Sequence, residues 1–93
     1  MLILKTQYVA PSRVHPEHIR VTNLKTGHAM RVWFDCRADM SSNNTRAVMT
    51  YVNTKHPEFI CWQTVEQVSI AGWDINVILH DNEMLPMQLL GAV

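Results

Sequence analysis

The sequence predicts a small α+β domain: an antiparallel sheet of four to five strands with one helix packed on one face, in the order β-β-β-α-β-β. Three observations carry that expectation. Apolar residues recur mostly with period two, the mark of half-buried strands. Only between Asp39 and Pro57 does the pattern change to the 3.6-residue period of a helix. Glycine and proline fall between the periodic runs, where the chain must turn.

In "MLILKTQYV", Leu4, Thr6 and Tyr8 alternate with Ile3, Lys5 and Gln7, and Pro11 closes this first strand. The stretch from His18 to Arg37 reads as a hairpin. Ile19 and Val21 alternate with Arg20 and Thr22, and Lys25-Thr26-Gly27 supplies a turn with glycine where positive φ is needed. The return strand "HAMRVWFDCR" sets Met30, Val32, Phe34 and Cys36 against Arg31, Trp33, Asp35 and Arg37.

Ser42, Asn43 and Asn44 are all good helix N-caps. Ala47, Val48, Tyr51 and Val52 then form an apolar stripe, and Pro57 disfavours helix at His56. One helix of about three turns, ending near Lys55, is expected. "EFICW" reads as a short strand or an extended lead-in, and "TVEQVSI" as a strand. Ala71-Gly72 turns the chain into "WDINVILH". There Trp73, Ile75, Val77 and Leu79 face one way and Asp74, Asn76 and His80 the other, with Ile78 the exception. The segment 84–93, "MLPMQLLGAV", is an apolar tail in which Pro86 limits any helix. Residues 1–93 make a single domain.

Composition narrows the function classes. Charged residues are 17% of the chain, and eight basic against eight acidic residues leave no net charge. The basic excess of a general nucleic-acid binder is absent. Low charge in neutral balance favours self-association, so a homodimer is compatible with every reading. Cys36 and Cys61 belong to no CxxC pair, which suggests reduced thiols. "MLILKTQY" lacks the pattern of a signal peptide, and no apolar run approaches the roughly 20 residues that cross a bilayer. A soluble, cytoplasmic protein without a membrane partner is expected.

The most catalytic-looking stretch is "SRVHPEHIRV". His15 and His18 could supply two metal ligands if they shared a helical face, but Pro16 lies between them in what reads as a connector. The other candidates, His28, His56, His80, Cys36 and Cys61, fall singly. A surface turn with Pro16 at its corner is the expectation, with no metal and no cofactor. Cys36, placed on the inward side of a strand, reads as a small hydrophobe rather than a nucleophile. Asp35, Asp39, Asp74, Asp81 and Glu83 show no spacing that would pair them for acid–base chemistry. No catalytic residue is expected, and the chain does not read as an enzyme.

A short helix covers only part of one face of such a sheet. The other face carries Arg20, Arg31, Trp33, Arg37 and, in one register, Trp62. These are residue types enriched at protein–protein hot spots. The same mixture of arginine and tryptophan is what single-stranded nucleic acids stack on, although Asp35 sits among them.

Thr6, Tyr8, Pro11, Ser12, Ile19, Arg20, Gly27, Phe34, Asp35, Asn44 and Ala47 follow a pattern of their own. A Thr-x-Tyr strand leads through Pro-Ser to a basic strand, then to a Gly-turned strand ending in aromatic-Asp, and then to an Asn-rich cap and a helix. Over roughly the first half of the chain this resembles a loose group of short phage, plasmid and bacterial accessory proteins. His15 to His18 stand where that group has Arg-Gly, as a connector between strands. The group has no attached activity, so the resemblance implies origin only: a mobile-element accessory. Such proteins often act by binding a host or phage protein, or a nucleoprotein complex. An anti-CRISPR-like inhibitor of a defence system is the concrete form, and a small nucleic-acid-binding accessory is the alternative.

Overall fold

The computed structural model describes residues 1–80; the apolar segment 84–93 lies outside them. The elements are β1 (Leu2–Val9), β2 (His18–Asn23), β3 (Ala29–Trp33), α1 (Met40–Lys55), β4 (Trp62–Ile70) and β5 (Trp73–His80). The strands form one sheet in the order β3-β2-β1-β5-β4, antiparallel throughout. This is the expected α+β order. The first strand lies at the centre, with one hairpin on each side.

Both hairpin turns place residues at positive φ. Gly27 sits at φ +79°, and the Asn23 side chain accepts hydrogen bonds from the Lys25 and Thr26 amides at 2.9 and 3.3 Å. Between β4 and β5, Ala71 at φ 46° and Gly72 at φ 90° make the two-residue turn whose twist suits an antiparallel pair. Alanine there adopts a conformation that only glycine takes without cost.

The helix packs on β2, with β1 and β3 on either side. It buries the expected stripe of Ala47, Val48, Tyr51 and Val52 against Leu2, Leu4, Ile19, Val21, Val32 and Ile78. It is 16 residues long rather than three turns, and it starts earlier than expected. Asp39 is the N-cap, accepting from the Ser42 amide at 2.7 Å, so the Asp39 carboxyl is held below its ordinary range. Asn43 and Asn44 therefore lie inside the helix and are buried.

Asn43 clamps the approach to the helix. Its amide nitrogen donates to the Asp35 and Asp39 carbonyls, both at 2.9 Å, and its side-chain oxygen accepts from the Asp35 amide at 2.7 Å. That clamp explains why the return strand stops at Trp33 instead of continuing to Arg37. After Trp33 the Phe34 amide makes one last cross-strand bond, to the Glu17 carbonyl at 3.2 Å, and from Asp35 on the backbone bonds to Asn43 and to its own turn. Cys36, expected inside, is exposed on that turn. Asn44 donates to Asn76, which donates in turn to the Leu4 carbonyl and the Thr6 hydroxyl at 3.1 and 3.0 Å. This buried polar chain ties α1 to β1 and β5, and its members satisfy one another.

Candidate binding face: the uncovered side of the sheet

Cross-strand register fixes which side chains share the face away from α1. One row across the sheet runs Arg31, Arg20, Gln7, Trp73, Ile70. The next runs Ala29, Thr22, Lys5, Ile75, Val68. On the other side of the first row, Trp33 stands opposite His18, followed by Val9. Beyond the second row lie Ile3, Val77 and Glu66. The face therefore grades from basic and aromatic over β2 and β3 to apolar over β5 and β4.

The apolar end was legible only in part. Alternation separates Trp73, Ile75, Val77 and Leu79 from Asp74, Asn76 and His80, but it does not say which set meets the helix. The polar set does, together with Ile78. Asn76 is needed there for the chain to Asn44 and Thr6. The four apolar residues are left half-buried on the uncovered side, beside Ile3 at 38%, Val68 at 42% and Ile70 at 43% exposure. Lys5 places its ammonium 4.8 Å from the centre of the Trp73 ring, a cation–π contact that shields part of this patch.

At the basic end, Arg20 and Arg31 are direct partners across β2 and β3, and both are exposed. Like charges facing each other in this way repel. Among the described residues neither arginine has an ion pair, whereas Arg37 is paired with Asp35. Beside them lies a concavity of about 340 Å³ lined by Val9, His15, His18, Arg20, Ala29, Met30 and Arg31.

His15 belongs to a turn built on Ser12, whose hydroxyl accepts from the Val14 and His15 amides at 3.3 and 3.2 Å. His18 departs from the expected surface turn. It opens β2 at 4% exposure, with Nδ1 bonded to the Pro16 carbonyl at 3.0 Å and its ring edge-on to both His15 and Trp33. Sequence reasoning passed over His18 as a site residue, although its parity with Arg20 and Thr22 was there to be read. No third His, Cys, Asp or Glu joins the two histidines among the described residues.

Of the other expected site residues, Trp33 is on this face at 53% exposure, with its carbonyl held by the Arg46 guanidinium at 2.6 Å. Arg37 lies past the end of β3 and is turned to Asp35, bonding that carboxylate through Nε at 3.1 Å and keeping the Asp35 carboxyl below its usual range. Trp62 is brought to the opposite face. It pairs with His80 and packs half-buried against the core, as Phe59 does.

The helix leaves β4 and β5 largely bare on its own side as well. Two concavities flank it there, one of about 390 Å³ that includes Thr6, Tyr8, Ser69 and Asp74, and one of about 170 Å³ that includes Val48, Trp62, Thr64 and Gln67. No helix among the described residues is long and apolar enough to cross a membrane. No family model, curated protein or solved structure matches the chain.

Proposed function

We propose that the chain is a non-enzymatic protein-binding module, an accessory of the kind a phage or plasmid directs against a host protein or complex, with inhibition of a defence system as its concrete form. One observation carries this reading. The β4–β5 hairpin exposes apolar side chains, with Val65, Val68 and Ile70 at 42 to 43% exposure, beside four half-buried apolar residues of β5. A patch of this kind on a small domain without net charge is characteristic of a surface that another chain covers. The graded face combines what protein interfaces use: an apolar patch over β5 and β4, and an exposed tryptophan and two arginines over β2 and β3. A second copy of the chain would meet the same requirements at the apolar end.

The test is capture of partners from a nuclease-treated bacterial lysate by the tagged chain and by two variants, Val68→Asp and Trp33→Ala. Each variant is first checked for native circular dichroism. The expected result is one stoichiometric protein retained by the parent chain, lost by Val68→Asp, and weakened by Trp33→Ala by about 2 kcal/mol. Retention of the same protein at parent affinity by both folded variants would remove this face from the interface.

The nucleic-acid reading is favoured by Trp33 standing exposed beside Arg31 and Arg20. It requires binding to single strands that falls steeply with salt. A flat salt response sinks it.

A further inference from the structure

Arg20 and Arg31 face one another without a carboxylate between them, on a sheet where the register would have allowed one. The remaining acid on the uncovered face among the described strands is Glu66, on β4 at the far edge. The guanidiniums also have two imidazoles for neighbours. His18 is buried and fixed, with Nδ1 on the Pro16 carbonyl, which leaves Nε2 as the ring's remaining polar atom. His15 stands edge-on to it at 6.2 Å. Two permanent cations, two imidazole rings and a concavity of about 340 Å³ make a place where negative charge is stabilised and nothing in the described chain supplies it.

We propose that this pocket is an oxyanion site, and that it takes a carboxylate from the protein partner. The inference rests on the binding-module reading and names the chemistry of one of its contacts. Geometry favours an acidic side chain over a nucleic-acid backbone. A phosphate chain needs a continuing track of cations, whereas the row beyond Arg31 and Arg20 continues with Gln7, Trp73 and Ile70. Lys5, the further cation on this face among the described strands, is engaged with Trp73. A single acid beside an apolar surface is what a glutamate or aspartate within a protein epitope presents. Planar guanidiniums suit a carboxylate because each can bond both of its oxygens.

The experiment is a titration of the full chain followed through the arginine Nε–H and histidine ring signals by NMR, with a short glutamate-rich peptide as the probe. Inorganic phosphate and a short oligothymidylate are run in parallel. Saturable shifts confined to Arg20, Arg31, His15 and His18 are expected with the peptide. Arg20→Gln and Arg31→Gln should each weaken binding roughly tenfold or more, the cost of losing one charge-assisted contact. Lys55→Gln, at the far end of α1, should leave binding within about twofold, being remote from any contact made in the pocket.

Shifts that never saturate, or an equal loss in Lys55→Gln, would reduce the site to diffuse charge and overturn the proposal. An oligothymidylate bound more tightly than the peptide, with a steep salt dependence, would overturn the carboxylate assignment in favour of nucleic acid. Partner capture separates this inference from the reading beneath it. Capture that survives both arginine variants but fails in Val68→Asp removes the oxyanion site and leaves the module. Capture indifferent to all three removes the module's assigned face as well.

Discussion

The two wings of the sheet are built from the same kind of strand and finished differently. β1, β2 and β3 lie under α1, and with the helix they supply nine of the ten buried apolar side chains; β5 adds Ile78 and β4 none. From Thr64 to Ile70, β4 is exposed at every position. One wing is thus closed by its own helix. The other is held by its backbone ladder to β1 and by the Asn44–Asn76–Thr6 chain, with its apolar side chains facing outward. The buried apolar core is therefore concentrated under one wing, and side chains of β4 can be altered with little effect on it.

The largest expected effect tests this division directly. Tyr51→Ala, at 1% exposure beneath the helix, should cost about 3 to 5 kcal/mol in urea denaturation, within the range for removing a buried aromatic ring. Val68→Ala on the bare wing should cost less than about 1 kcal/mol. Comparable losses at the two sites would mean that the wings unfold and are stabilised as one, and the comparison would fail.

Helix capping comes next in size. Asp39 holds its proton less tightly in the folded chain because the Ser42 amide bonds its carboxylate, and Asp35 does so because of Arg37. A carboxyl whose pKa is lowered by folding contributes stability in full above its unfolded pKa, about 3.9. It loses that contribution as pH falls through the folded value. The melting temperature should therefore drop as pH is taken below about 4. Asp39→Asn, which keeps a capping oxygen but cannot titrate, should show a shallower drop. An unchanged acid profile in that variant would show that Asp39 has no share in the acid sensitivity.

The smallest effect has the opposite sign. Arg31→Gln removes one of two facing cations and should stabilise the free chain by about 0.3 kcal/mol while weakening its hold on anions. Denaturation at low salt, where the repulsion is least screened, is the place to see it. A loss of stability there would mean that the facing pair is already satisfied within the chain.

What could be read from the sequence follows from what its patterns encode. Period two and the Gly27 and Ala71-Gly72 turns gave the strands and the pairing within each hairpin, but not the place of β1 between the two hairpins. The Ala47-Val48-Tyr51-Val52 stripe gave the helix and its buried side. Alternation assigns residues to two faces but carries no label for which face is covered. So Trp73, Ile75, Val77 and Leu79 could not be placed outside, nor Trp62 inside, before α1 was seen to end over β1 to β3. Asn43 looked like a cap because asparagine usually is one. Its role as a clamp depends on the Asp35 backbone eight positions away, which no local rule contains. Arg20, Arg31 and Trp33 were legible as sharing one face because alternation within a hairpin puts them there; that the two arginines are direct partners is set by the register.

The pairing of β4 with β5 shifts register between Thr64 and Glu66, partway along the edge of the sheet. An added strand seeking hydrogen bonds along β4 would meet a ladder whose spacing changes midway, so it could dock on one half of that edge but not zip along its whole length. A bulge of this kind disfavours edge-to-edge pairing along β4. An assembly that uses this wing is steered towards closed, finite contacts made through side chains on the face.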